Sequence, residues 1–201
     1  MQAAIRHLKA NDPILGALIE RIGPYRMEFR DPTFETLVRS IVFQQLSGKV
    51  ARVIYDRLAR ALPEERMTPE GILLLRPERM RRLGLSRQKT AYIRDLARHT
   101  VKGRVAFADL PELPDEEVIA RLTVVKGIGV WTAHMFLIFA LRRRNVLPIG
   151  DLGIRSAIKK VYGLADLPKP LEIEDMARGW HPYCTVASWY LWRSLDGKAE
   201  I

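Results

Sequence analysis

Residues Leu122 to Ala133 read LTVVKGIGVWTA and place glycines at 127 and 129 between a helix opened by Pro114–Asp115 and an unbroken apolar run, Met135 to Leu141. Glycines two apart permit backbone conformations that a side chain blocks, so N–H groups at the mouth of the following helix point outward, unpaired. A phosphate fits such a concavity, and Lys126, Gly127, Gly129 and Thr132 are the candidate contacts. The carbonyls of Thr123, Val125 and Gly127, on the turn's other side, are candidates to hold a structural Na+ or K+. The competing interpretation is a plain tight turn between two packed helices.

Downstream, LPIGDLGIRSAI puts Asp151 immediately before a new helix. Aspartate is a favoured N-cap, and that role alone accounts for many such residues. Here one apolar helix and a short return carry Asp151 back to the end of the molecule that holds the glycine turn. A carboxylate beside a phosphate site is electrostatically unwelcome unless it has a task. Stabilising a developing cation or activating a water are the tasks open to it.

The chain has 201 residues, enough for one large domain or two small lobes. Its net charge of +10 sits on a chain that is 48% apolar, with mean hydropathy −0.09. That composition describes a packed body and excludes a disordered basic tail. The charge attracts polyanions, so nucleic acid, an anionic membrane or an acidic protein head the list of partners. Charged residues on several helix faces, without an aromatic-rimmed basic stripe, argue against the membrane. The single cysteine, Cys184, supplies neither an internal disulfide nor a four-cysteine metal site. His7, His99, His134 and His181 show no ligand spacing, so no catalytic metal is expected, and His134 is at most a pocket or phosphate contact. With no signal-like stretch in Met1 to Pro13, the expectation is a soluble cytoplasmic protein.

Helix punctuation recurs throughout and strand signals are nearly absent. Asp12–Pro13 opens a helix that stops at Gly23, and Asp31–Pro32 opens another whose buried face is Phe34, Leu37, Val38 and Ile41. Lys49 to Leu62 carries an apolar stripe of Val50, Val53, Ile54, Leu58 and Leu62. Further helices are expected at Thr68–Leu75, Pro77–Leu83, Ser86–His99, Asp115–Leu122, Val130–Leu141, Leu152–Tyr162, Ile173–Gly179 and Pro182–Leu195. The fold class is all-α, with roughly ten helices. The continuous apolar run predicts that the Val130–Leu141 helix is surrounded by protein.

Four separated segments, LVRSIVFQQLSGKVA, VKGIGVWTA, PIGD and WHPYCTVASWYLWR, together resemble the helix–hairpin–helix DNA glycosylases, and among them the 3-methyladenine DNA glycosylase II (AlkA-type) enzymes. The likeness spans residues 30 to 195. It implies a single compact glycosylase domain of two helical lobes with the active site in the cleft between them: a central lobe over about 30–150, and a second lobe from 1–29 with 151–201. It implies double-stranded DNA containing alkylated bases as partner, no cofactor beyond the hairpin cation, and a monomer.

Such enzymes rotate the damaged nucleotide out of the duplex and plug the gap. Leu46 or Gln45 is the implied plug, against the alternative that Leu46 is the last core residue of its helix. Trp131, Tyr183 and Met135 are the implied walls for the flipped base, and Asp151 the catalytic carboxylate. At about 4 Å and an effective dielectric near 20, a carboxylate stabilises a sugar cation by about 4 kcal/mol, a rate factor of roughly 10³. Relatives that also cut the strand carry a lysine at the position of Trp131, so base removal without strand cleavage is expected. They often hold a four-cysteine cluster that this chain lacks. Met135 stands where a tyrosine is usual and Cys184 where an arginine is common, and the chain is too short for the β-rich N-terminal domain of larger members. Arg39, Lys49, Arg142 to Arg144, Arg155, Lys159 and Lys160 are candidate phosphate contacts, for which affinity should fall steeply with salt. The alternatives are a non-catalytic helix–hairpin–helix DNA-binding module and a glycosylase for oxidised or mismatched bases.

Overall fold

A computed structural model describes residues 1–196. In chain order the helices are α1 (Gln2–Asn11), α2 (Pro13–Ile22), α3 (Phe34–Phe43), α4 (Gly48–Arg60), α5 (Pro69–Leu74) and α6 (Pro77–Arg82). Then come α7 (Arg87–Val101), α8 (Asp115–Thr123), α9 (Val130–Phe139), α10 (Leu152–Tyr162), α11 (Pro170–Met176) and α12 (Cys184–Arg193). Three one-turn 3-10 helices join them, and no strand occurs among the described residues. The all-α class stands. None of these helices is long and apolar enough to cross a membrane.

The contacts divide the chain into two compact units, Met1–Phe29 with Arg142 onward, and Arg30–Leu141. In the first, α1 packs on α2, and α10 and α12 pack on one another and on α2. In the second, α7 is the common support for α3, α5 and α6, while α8 packs along α9.

Three sequence expectations change. The second helix is capped by Thr33, whose hydroxyl accepts from Thr36 N–H at 3.3 Å, and not by Asp31, whose carbonyl instead receives the Thr36 hydroxyl at 2.8 Å. On α4 the buried stripe is Ala51, Ile54 and Leu58, while Val50 and Val53 are 47% and 44% exposed. Ala51 is fully buried, and that choice of phase turns the two valines outward. The α9 helix buries Ala133, Phe136, Leu137 and Ile138, yet its first turn is open, with Trp131 48% exposed. In addition, α1 was not anticipated, although Ala4 and Leu8 show the spacing of a buried face.

Asp12 holds the first unit together. Its Oδ1 caps α2 by accepting from Leu15 N–H at 2.9 Å, while Oδ2 accepts from Tyr162 Oη at 2.5 Å and Trp180 Nε1 at 2.7 Å. Burial, reinforced by the bond to Asp12, pushes the Tyr162 hydroxyl far above its usual titration range, so it remains a donor. Asp12→Ala removes a cap and leaves an indole N–H and a phenol unpaired. Their summed effect is about 2–4 kcal/mol of lost stability, to be read as a lower urea midpoint at unchanged slope.

Candidate active site and nucleic-acid interface

The turn between α8 and α9 is shaped by one glycine. Gly127 has φ +84°, and a Cβ there would lie 2.0 Å from Cδ2 of Tyr92, whose ring packs directly on the turn. Gly129 is different: at φ −93° and ψ 176° its backbone suits any residue, and nothing lies within 4 Å of where its Cβ would be. Only the first glycine is conformationally required, which corrects the sequence expectation for the pair. The second leaves the approach to α9 unobstructed.

Lys126 N–H donates to Asp95 Oδ2 at 3.0 Å and Ile128 N–H to the Val125 carbonyl at 3.1 Å, fixing the turn to α7 and to itself. No side chain caps the start of α9. The Lys126 side chain is exposed, whereas that of Thr132 is buried, so Thr132 offers an anion its backbone rather than its hydroxyl. Of the three carbonyls expected to face a cation, Gly127 already accepts from Gln44 Nε2 at 3.2 Å and Val125 from Ile128. Each retains a second lone pair, so the donor set still fits a monovalent ion. Among the described residues no group of three or more His, Cys, Asp or Glu side chains is arranged to hold a metal.

Beyond the end of α3 the chain makes a tight turn in which Gln45 adopts φ +55°, uncommon for a residue with a side chain. Leu46 follows, 38% exposed, which removes the interpretation that it closes the core of its helix. Lys89 of α7 anchors this turn, its Nζ donating to the carbonyls of Val42 at 2.8 Å and Gln44 at 2.6 Å. Burial lowers the Lys89 pKa from its ordinary value. Lys89, Tyr92 and Asp95 therefore brace the Gln44–Leu46 turn and the hairpin from one helix. The sequence reasoning found none of the three.

Between these two turns lies a pocket of about 580 Å3 lined by Ser40, Phe43, Gln44, Gln45, Trp131, Thr132 and Met135. It gathers Gln45, Trp131, Thr132 and Met135 from the predicted site and adds Ser40, Phe43 and Gln44. The Arg39 guanidinium lies 3.9 Å from the centre of the Phe43 ring, on the pocket's wall. His134 does not line it. Burial lowers the His134 pKa, with Asp115 acting in the opposite sense, so the imidazole is neutral at pH 7.

In the other unit, Tyr183 stands before α12 with its ring edge-on to His7 at 5.3 Å, and lines a smaller pocket of about 280 Å3 with Tyr25, Phe29 and Arg144. Cys184 is fully buried, and burial pushes its thiol up to about 12. Asp151 caps α10: its Oδ1 accepts from Ile154 N–H at 2.8 Å and from Trp192 Nε1 at 2.9 Å. The residue is 9% exposed. Gly153 makes room for this pair, because a Cβ there would stand 2.9 Å from Asp151 Oδ1 and 3.2 Å from the Trp192 ring.

A glycine hairpin braced on a neighbouring helix, and an aspartate capping the helix after the return, accord with the family that the sequence matches over residues 38–182, the HhH-GPD superfamily of base excision DNA repair proteins. The chain belongs to that superfamily. It is 35% identical to DNA-3-methyladenine glycosylase 1 of Schizosaccharomyces pombe, covering 94% of this chain and 85% of that protein. It is 32% identical to the putative DNA-3-methyladenine glycosylase YfjP of Bacillus subtilis, covering 90% of this chain and 66% of that one. Among solved structures, S. pombe 3-methyladenine DNA glycosylase (Mag1) in complex with abasic DNA superimposes with a TM-score of 0.86 at 33% identity, over 99% of each chain. A DNA-3-methyladenine glycosidase from Bacillus halodurans gives 0.88 at 36%, over 98% and 91%.

The two hairpin glycines should differ sharply on substitution. Gly127→Ala must strain φ and displace Tyr92, costing about 2–4 kcal/mol and weakening DNA binding, whereas Gly129→Ala should fold normally. Melting temperatures and duplex titrations of the two variants provide the comparison.

Proposed function

We propose that the protein is a monofunctional DNA glycosylase of the AlkA type that removes alkylated, positively charged bases such as 3-methyladenine from double-stranded DNA. Supporting this reading are the relatives named for 3-methyladenine removal and the neighbour bound to abasic DNA, the product such a reaction leaves. The observation that carries it is the Asp151 carboxylate, buried and held by both a helix N-terminus and an indole N–H.

In this reading the backbone N–H groups of Gly129 and the first turn of α9 bind a phosphate, with Lys126 adding charge. A Na+ or K+ held by the carbonyls of Thr123, Val125 and Gly127 would supply further positive charge there. Gln45 or Leu46 enters the stack in place of the extruded nucleotide. The base lies against Trp131 and Met135 in their pocket. A cation–π contact contributes about 0.5–2 kcal/mol and selects for the charge that alkylation creates.

The C1′–N bond then breaks with its electron pair leaving on the base, which departs neutral. Asp151 stabilises the resulting sugar cation and accepts the proton of the water that adds to C1′. Trp131 occupies the position of a strand-cleaving lysine, so no Schiff base forms and the strand stays intact. The protein acts as a monomer, in the compartment that holds the DNA, the cytoplasm in a bacterium.

Incubation with methylated DNA, followed by chromatography of the released bases, should yield 3-methyladenine without strand breaks. Asp151→Asn preserves the cap and the bond from Trp192, so it should bind abasic duplex like the wild type while base release falls by about 10³. Equal release by the two proteins would remove the assignment.

A further inference from the structure

The Arg30–Leu141 unit carries a second concavity, of about 590 Å3, between α6 and α7. Arg81 comes from α6, Arg87, Arg94 and Arg98 from α7, and Lys126 of the hairpin closes one end. Residues 87, 94 and 98 are spaced by seven and four, so they share one face of their helix. Two acidic side chains, Glu78 and Asp95, oppose these five basic ones. Asp95 is engaged with the Lys126 amide and lies 3.8 Å from His99 Nε2. Arg94 donates to the carbonyls of Ile72 and Leu75. Arg81, Arg87, Arg98 and Lys126 are exposed and form no ion pair among the described residues. Thr90, in the wall, has a hydroxyl with no hydrogen-bond partner.

We propose that this groove is a second DNA-backbone site, holding phosphates of the same strand that the hairpin grips. The inference rests on the reading of the hairpin as a DNA contact and extends it. The spread of the charges identifies the occupant. Arg87 and Arg98 stand about 16 Å apart along the helix axis, too far to converge on one free phosphate, but a length over which one strand of B-DNA presents several. Continuity points the same way. Lys126 belongs to both the groove and the hairpin, and Asp95 ties the hairpin to the groove's wall, so a strand leaving the hairpin meets the groove within one or two nucleotides. None of these arginines is part of the catalytic site described above.

The test compares an Arg81→Gln/Arg87→Gln/Arg98→Gln variant with a control of equal charge loss, Arg57→Gln/Arg60→Gln/Lys102→Gln, whose residues are all exposed and outside the groove. For binding to an abasic duplex, the groove variant should show a slope of log affinity against log salt shallower by about 2, and affinity about 10²-fold weaker near 0.1 M salt. The control should match the wild type. Neutral methylphosphonate linkages walked along the strand should cost the wild type affinity at one or two positions beyond the hairpin contact, and cost the groove variant nothing there. Circular dichroism and melting temperature confirm that each variant is folded. Equal slopes for groove variant and control overturn the proposal. So does a result in which inorganic phosphate shifts the Arg87 and Arg98 side-chain resonances while no linkage responds, which assigns the groove to a free anion. Failure of the wild type to release any base would instead count against the glycosylase reading, leaving the groove to be judged on binding alone.

Discussion

The Tyr92 ring fills the space that a side chain at 127 would need, and much of the Arg30–Leu141 unit follows from that contact. A left-handed residue with an aromatic face pressed against it can only be glycine, and the turn it makes then has one available path. The same α7 helix supplies Asp95 to the next amide in the turn and Lys89 to the carbonyls that end α3. Gln44 completes the circuit by donating from the turn after α3 to the Gly127 carbonyl. Two surface turns more than 80 residues apart in sequence are thus referenced to one rigid helix. Loops carry chemistry well only when something regular holds them.

The other unit solves a related problem with aspartate. Asp12 and Asp151 are both N-caps, and each also receives an indole N–H, from Trp180 and Trp192 respectively. The helix amides and the indole stabilise negative charge and fix the oxygen in place, at little entropic cost because every partner is already ordered. At Asp12 the outcome is structural, since Tyr162 shares the same carboxylate. At Asp151 the same construction fixes a buried carboxylate at the start of α10, with Gly153 leaving room for the indole.

What the sequence disclosed depended on how local the cause was. Gly127, the cap at Asp151 and most helix boundaries follow from neighbours within a turn or two, and these were legible. Trp192 and Gly153 were not, because a tryptophan at helical spacing reads as core until the carboxylate 41 residues upstream is seen beneath its N–H. Lys89 and Tyr92 were hidden for the same reason, since on a helix wheel they are one more lysine and one more half-buried aromatic. Gly129 misled in the opposite direction. Its spacing from Gly127 suggested a shared conformational need, whereas its backbone is ordinary and only the openness of its surroundings sets it apart.

The two helices that bracket the return also show where the molecule gives up stability. The start of α10 is capped by the buried side chain of Asp151, while α9 begins without a side-chain cap and exposes Val130 and Trp131 to water. Both features of α9 are unfavourable in the isolated protein, one for hydrogen bonding and one for hydration. A polyanion whose phosphates meet backbone N–H groups, and whose extruded base covers an indole, relieves both at once. Selection for stability alone would place Ser, Thr or Asp at position 129 and a polar residue at 131. That the chain has glycine and tryptophan there is the local inconsistency expected of a surface whose complement is another molecule.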